Sequence, residues 1–261
     1  MSALDRLKPP PDLRVFVTAG AGGIGRAIVD AFAEAGAKVA VCDVSEDALA
    51  AFSKAHPGAP ALPCDVSDGA AVTQTFNEVH HTLGGLDILV NNAGIAGPTQ
   101  GVDEIAADDW ERTLRVNMDG QFHAAHAATP ALRESEGAMI NISSVAGRLG
   151  YAYRTPYAAS KWGIVGFTKS LAAELGPDGV RVNAILPGIV AGPRIERVIG
   201  DRAKALGVSY AEMEQRYLAN VSLRRMVSAE DIASCCLFLA SPGGANISGQ
   251  ALSVCGNVER L

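Results

Sequence analysis

Short apolar runs and helical patterns alternate along this chain from residue 13 almost to its end, and no other feature restricts its fold as much. Leu13–Thr18, Lys38–Cys42, Ala61–Cys64, Asp87–Val90, Ala138–Ile142, Val180–Leu186 and Ala251–Val254 read as strands. These runs are nearly continuously apolar, as strands are when both faces of their sheet are covered. Helical patterns are expected over Ile24–Ala35, Glu46–Lys54, Ala70–Leu83, Ala107–Glu134, Thr155–Leu175 and Ala229–Leu239. Strand and helix in turn imply an α/β fold with one doubly wound parallel sheet and helices on both faces. At 261 residues the chain suits one such domain and is short for two. Residues 1–12, which end in Pro9-Pro10-Pro11, read as a tail. Residues 13–261 read as the domain, with a polar, helix-prone insertion at about 193–225.

A doubly wound sheet binds its ligand at the carboxyl ends of its strands. The chemically suggestive residues fall there. Thr18-Ala-Gly-Ala-Gly-Gly-Ile-Gly25 follows the first strand and opens a helix. Glycines in that place let a pyrophosphate approach backbone N–H groups at the positive end of a helix. The spacing is close to T-G-x-x-x-G-x-G, with Ala19 where the first glycine belongs. Ala19, Gly22, Gly23, Ile24 and Gly25 are therefore candidate cofactor contacts. Asp43 ends the second strand, 18 residues past Gly25. A carboxylate there accepts hydrogen bonds from an adenosine ribose and repels a 2′-phosphate. No Arg or Lys occupies Gly22 or Val44 to clamp such a phosphate, so NAD is favoured over NADP. Asp43 could also serve as a helix N-cap, a role open to Ser45 as well.

Tyr157-Ala-Ala-Ser-Lys161 puts a phenol and an ammonium on one helix face. A cation beside a phenol favours the phenolate, which suits a tyrosine to act as general acid or base on an alcohol or ketone. Ser144 lies thirteen residues upstream, after the fifth strand. The glycine cluster, the serine and the Tyr–Lys pair together point to hydride transfer with a nicotinamide cofactor.

Other classes are disfavoured. A formal net charge of −6 with scattered Lys and Arg does not suit nucleic acid or an anionic membrane surface. No apolar run approaches a membrane span, and the first residues show no signal-peptide pattern, which makes the cytoplasm the expected location. Cys42, Cys64, Cys235, Cys236 and Cys255 contain no C-x-x-C and read as reduced core thiols. His123 and His126 could share a helix face but lack a third ligand, so no metal is expected. Trp110 and Trp162 read as packing residues.

The chain resembles a classical short-chain dehydrogenase/reductase over about residues 13–256. The resemblance rests on Thr18–Gly25, Cys64-Asp65-Val66, Asn91-Asn92-Ala93-Gly94, Asn117, Ser144, Tyr157 with Lys161, and Pro187-Gly188. It implies a Rossmann-type sheet of about seven strands, an alcohol–carbonyl redox reaction and a catalytic tetrad of Asn117, Ser144, Tyr157 and Lys161. It further implies that Asp65 and Val66 contact adenine and that Asn92 lies beside the cofactor ribose. Lys161 would anchor that ribose, and Pro187, Gly188 and Val190 would lie at the nicotinamide. Asn117 would hold a water linking Lys161 to solvent. The helices holding His123 and Tyr157 would pair across a homotetramer interface. Three positions depart from the family pattern: Ala19 replaces a glycine, Gly192 a frequent threonine and Cys255 a common aspartate.

The leading expectation is an NAD-dependent dehydrogenase of a small secondary alcohol. The alternatives are an NADPH-dependent 3-oxoacyl or other ketone reductase and a non-catalytic nucleotide-binding regulator. The substrate pocket should be lined by Ile95 and Ala96, the Arg148–Arg154 segment and the 193–225 insertion. Ser144, Arg148, Tyr151 and Arg154 are the candidate substrate contacts, with Arg194 and Arg197 near the opposite wall. An arginine fork there would suit a carboxylate, sulfonate or phosphate. A neutral polyol or cyclic alcohol is the rival.

Overall fold

The computed structural model describes residues 2–259. Seven strands form one sheet: β1 (Arg14–Thr18), β2 (Lys38–Asp43), β3 (Ala61–Pro63), β4 (Ile88–Asn91), β5 (Ala138–Ile142), β6 (Arg181–Pro187) and β7 (Ala251–Val254). All pairings are parallel, and the spatial order is β3-β2-β1-β4-β5-β6-β7. The direction of winding reverses between β1 and β4, which opens a crevice above their carboxyl ends. The helices are α1 (Gly23–Glu34), α2 (Glu46–Ala55), α3 (Gly69–Leu83), α4 (Ala107–Leu114), α5 (Gly120–Ser135), α6 (Thr155–Leu175), α7 (Pro193–Leu206), α8 (Tyr210–Leu218) and α9 (Ala229–Ala240).

The continuous apolarity of the strands has a direct cause. Val15 and Val17, Val39 and Val41, Ile88 and Val90, and Ile140 and Ile142 face one buried layer, completed by Ile28 and Phe32 of α1 and Ile232 and Leu239 of α9. The intervening Phe16, Ala40, Leu89 and Met139 face the other layer, beside Val72 and Val79 of α3 and Ala124 and Leu132 of α5. Successive strand residues point to opposite faces, so a two-sided core requires apolar residues at both parities.

One stretch differs from the sequence expectation. The single helix expected over Ala107–Glu134 is broken by a π-helical turn, Arg115–Asp119, between α4 and α5. The polar, helix-prone insertion forms two helices in contact, α7 and α8, with a small core of Ile199, Ala203 and Met213. In the tail, Asp5–Leu7 forms a 3₁₀ turn, and Arg6 donates to the Pro242 carbonyl at 3.4 Å.

Candidate active site

The carboxyl ends of β1, β2, β4, β5 and β6 surround a cavity of about 980 Å³. Its floor begins at the glycine loop. Ala19 is left-handed, with φ +49°. A side chain at Gly20 would lie 2.6 Å from Val41 Cγ1, and one at Gly25 would lie 2.2 Å from the Ala19 carbonyl oxygen. Those two glycines let the loop lie flat on β2 and on the start of α1. At Gly22 and Gly23 a Cβ would meet nothing within 4 Å, and both residues line the cavity. Gly22 caps α1 without any side-chain acceptor, so the first N–H groups of that helix keep their capacity for an anion. The loop therefore fits a dinucleotide pyrophosphate.

Thr18 and Asn92 brace the loop across the crevice. The Asn92 and Ala93 backbone N–H groups donate to Thr18 Oγ1 at 3.0 and 3.1 Å. Asn92 Nδ2 donates to the Thr18 and Ala19 carbonyls at 3.1 and 3.0 Å. Asp43 stands at the cavity's far end. Its carboxylate accepts from the Ala21 N–H at 3.3 Å and the Ser45 N–H at 3.1 Å. Ser45, not Asp43, caps α2, accepting from the Ala48 N–H at 3.2 Å. The cap is thus supplied elsewhere, and Asp43 is left in the cavity wall.

Beneath this end lie two thiols that sequence reasoning treated only as core. Cys64 is drawn down to about 7 by a hydrogen bond with Cys42. The same bond, with burial, pushes Cys42 up.

The catalytic half is built by β5 and α6. Pro156 sits in the first turn of α6, where its missing N–H costs nothing. Tyr157 and Lys161 follow on one face. Lys161 is 4% exposed; its Nζ donates to the Ile142 carbonyl at 2.9 Å and lies 5.7 Å from the Tyr157 ring centroid. Ser144 lines the cavity, and its Oγ accepts from the Ala146 N–H at 3.1 Å. Ser143 was passed over in sequence, although it stands beside Ser144. Its hydroxyl donates to the Lys161 carbonyl at 2.8 Å, and a Cβ on Gly147 would lie 2.6 Å from both partners. This contact seats α6 on the end of β5.

Asn117 lies in the π-helical turn and is fully buried. Its Oδ1 accepts from the Ile95 N–H at 2.8 Å, and its Nδ2 donates to the Ile95 carbonyl at 3.1 Å and to Ser160 Oγ at 3.0 Å. Ser160 in turn donates to the Tyr157 carbonyl at 2.7 Å. A Cβ on Gly94 would lie 3.2 Å from Asn117 Oδ1 and 3.4 Å from Lys161 Nζ, so these two polar groups flank the same glycine. The π turn, a form that recurs at functional sites, interrupts the helix at Asn117. A periodicity reading cannot see it.

Five expected site residues do not reach the cavity wall. Gly25 packs beneath the loop. Asp65 is exposed, and its carboxylate accepts from the Ser67 N–H and hydroxyl at 2.9 and 2.8 Å. Val66 is buried, and its carbonyl meets His123 Nδ1 at 3.0 Å. Asn117 stands behind Gly94. Arg148 is a correction: it is exposed and donates to Ser253 Oγ at 2.8 Å, outside the cavity. The turn Val145–Gly147 directs it outward. Arg154 and Tyr151, in contrast, line the cavity, as do Pro187, Gly188 and Val190. Ala96 lines it too, whereas Ile95 borders an adjoining cavity with Arg197. The side chain of Arg194 lies outside the described residues.

The three departures also have places. Gly192 has φ +141° at the start of α7, a conformation that a threonine would adopt only with strain. Cys255 lies in a small apolar cluster with Val145, Val221 and Val258, and closely abuts Gly188. Ala19 carries its methyl in a left-handed turn. Among the described residues no group of three His, Cys, Asp or Glu side chains could hold a metal. No helix among them is long and apolar enough to cross a membrane.

Residues 19–257 match the family described as enoyl-(acyl carrier protein) reductase. A protein named probable galactose dehydrogenase GalD, from Rhizobium meliloti (strain 1021), is 37% identical over 257 residues, covering 95% of this chain and 96% of that protein. Two solved structures share the fold. NAD+-bound xylitol dehydrogenase is 30% identical with a TM-score of 0.86, over 93% of this chain and 97% of that one. Actinorhodin polyketide ketoreductase with NADPH is 33% identical with a TM-score of 0.88, over 95% and 98%.

Proposed function

The chain belongs to the short-chain dehydrogenase/reductase family, and from that premise we propose that it is an NAD-dependent dehydrogenase interconverting a small secondary alcohol and its ketone. The observation that carries this reading is the composition of one cavity. It holds Tyr157 beside buried Lys161, Ser144 at the end of β5, the open Gly22–Gly23 step, and Asp43 as its one acidic wall residue among those described.

Gly22 and Gly23 would admit the pyrophosphate, and Asp43 would take the adenosine ribose hydroxyls and disfavour a 2′-phosphate. Pro187, Gly188 and Val190 would border the nicotinamide. When bound, the nicotinamide supplies the hydride acceptor. Tyr157, as phenolate, takes the proton from the substrate hydroxyl, and Lys161 stabilises that phenolate. Ser144 hydrogen-bonds the same oxygen and favours the carbonyl-like transition state. Asn117 fixes the Ile95 backbone and, through Ser160, the carbonyl of Tyr157. It also stands where a water could pass protons from Lys161. In the reducing direction Tyr157 returns the proton.

The experiment is a panel of secondary alcohols assayed for NADH and NADPH formation. NAD+ should give the higher kcat/KM with every active alcohol. The NADPH-bound ketoreductase among the structural relatives supports a second reading, an NADPH-dependent ketone reductase. A preference for NADP+ in the same panel would select it. The exposed Trp162 on α6 and Phe122 on α5 would be covered in a cytoplasmic homotetramer, which analytical ultracentrifugation can test.

A further inference from the structure

The cavity has a cation that the proposed chemistry does not use. Arg154 immediately precedes α6 and is only 9% exposed. Its guanidinium carbon lies 5.2 Å from the Tyr151 ring centroid and 5.2 Å from that of Tyr157. One arm, Nη2, donates to the Ala96 carbonyl at 2.8 Å. Nε is buried and has no hydrogen-bond partner. None of the ion pairs among the described residues involves Arg154.

A buried guanidinium without a counter-ion is costly, because desolvation is offset only where hydrogen bonds and an opposite charge replace water. Among the described residues the cavity wall holds one carboxylate, that of Asp43. Asp43 is engaged at the other end by Ala21 and Ser45, and Arg216, another cation in the wall, already has Glu212 at 2.7 Å. At the substrate end stand Arg154 and Lys161. Arg197 borders the adjoining cavity on the other side of Ala96. This clustering of positive charge occurs in a chain whose formal net charge is −6. A neutral polyol would leave the Arg154 charge uncompensated, whereas an oxyanion beside the guanidinium in the cavity would compensate it.

We propose that the substrate is a small organic anion, a secondary alcohol carrying a carboxylate or a like oxyanion a few bonds from the carbinol, and that Arg154 is the residue that binds the anion. The contact with the Tyr157 ring sets the spacing, because the anion and the reacting hydroxyl must occupy neighbouring places in one cavity. The Tyr151 ring lies equally close to the guanidinium carbon, at 5.2 Å. This inference rests on the dehydrogenase reading above and adds the substrate class.

The test compares matched alcohols. 3-Hydroxybutanoate and its methyl ester share a carbinol and differ in charge. Wild type should favour the acid in kcat/KM by about 10–100-fold, the effect of one charge-assisted hydrogen-bonded contact. Arg154→Met should abolish that preference through KM, with a loss of kcat/KM on the acid at least about tenfold larger than on the ester. Arg154→Lys should restore part of it, which a packing role would not do. An equal loss on acid and ester in Arg154→Met would overturn the proposal and make Arg154 a positioning residue for Tyr157. Wild type showing no preference for the acid, or for the sulfonate analogue, would also overturn it, with the dehydrogenase reading intact.

A second measurement does not need turnover. Malonate, ethanesulfonate and inorganic phosphate, each added to the NAD+-saturated protein, should raise the melting temperature of wild type but not of folded Arg154→Met or Arg154→Lys to the same extent. The strongest of the three names the oxyanion. If malonate stabilises wild type through Arg154 while no alcohol is oxidised, the anion site stands and the redox reading falls. If none of the three anions shifts wild type, the anion site falls.

Discussion

The two ends of the central sheet are built on opposite terms. At the amino ends, Arg14 on β1 and Asp87 just before β4 satisfy one another completely. The Arg14 backbone N–H, Nε and Nη2 donate to the Asp87 carboxylate at 2.7, 2.8 and 2.6 Å, and Nη1 donates to the Gly84 carbonyl at 2.6 Å. At the carboxyl ends the polar groups are left short. Arg154 Nε, Asn91 Oδ1 and Gln121 Oε1 are buried without partners, Ala19 is left-handed, and the Gly22–Gly23 step is open. The same seven strands therefore carry stability at one end and chemical capacity at the other. Arg154, Ala19, Gly22 and Gly23 line the cavity a ligand would enter, whereas Asn91 and Gln121 are buried away from its wall.

The sharpest way to break that comparison is at Tyr157. Tyr157→Phe should lower turnover by more than the ~10²–10⁴ attributed to one proton-transfer group, because the phenol also orients the substrate. Melting temperature and NAD+ affinity should stay near wild type. Turnover within tenfold of wild type would mean that the carboxyl-end cavity is not where the proton moves.

Asp43→Ala should act next most strongly. It removes both a ribose acceptor and a charge that repels a 2′-phosphate. The ratio of kcat/KM for NAD+ over NADP+ should fall by roughly 10–100-fold, or about 1.4–2.7 kcal/mol. Stability should change little, because Ser45 retains the cap on α2. An unchanged ratio would assign cofactor choice elsewhere.

Asp87→Asn probes the other end and should reverse the pattern. Burial pushes the Asp87 carboxyl up, but hydrogen bonds from the Arg14 side chain and backbone outweigh it and hold it below the ordinary carboxylate value. Loss of this partly exposed pair should cost about 1–2 kcal/mol, with kcat and KM unchanged. A depressed folded pKa stabilises above the unfolded pKa, about 3.9, and the benefit is lost as pH falls through the folded value. Urea midpoints of wild type and variant should therefore differ at neutral pH and converge in acid. A loss of activity matching the loss of stability would show that the two ends are not separable.

The division also explains what could be read from the chain beforehand. The Thr18–Gly25 loop, Asp43 and Ser144 stood out because they follow strands, and Tyr157 with Lys161 because their spacing shares a helix face, whereas Asn92 was implied only by the family resemblance. Arg148 and Arg154 were not separable in sequence, since both lie on one connection. The 3₁₀ turn at Val145–Gly147 sends the first outward, and the start of α6 holds the second inward. The break at Asn117 was hidden because its flanks keep a continuous helical pattern, and the local turn depends on Ile95 and Ser160, distant in sequence. Ser143 and Ser160 act through carbonyls, and a hydroxyl's choice of carbonyl leaves no composition signal. Among the described residues the helices of 193–218 bury Ile199, Ala203 and Met213, too few apolar positions to mark two separate helices in advance.

The smallest effect should come from Ala19, where the two kinds of building meet. Its φ of +49° is a conformation that an L side chain enters at a cost of about 1–2 kcal/mol, and glycine at almost none. The conformation is imposed from outside, because the Ala19 carbonyl accepts from Asn92 Nδ2 at 3.0 Å while the Gly20 N–H donates to the Cys42 carbonyl at 3.1 Å. Ala19→Gly removes the strain but widens the unfolded ensemble, which offsets about 0.4–1 kcal/mol. The net should be stabilising by about 1 kcal/mol or less, a rise in melting temperature of no more than about 3 °C. NAD+ affinity should stay within about twofold, since the methyl only borders the cavity and the N–H groups of α1 are untouched. Destabilisation by the glycine would reverse the argument. The methyl's packing against the ends of β1 and β4 would then outweigh the backbone strain, and this end of the sheet would carry less unrelieved cost than its open donors suggest.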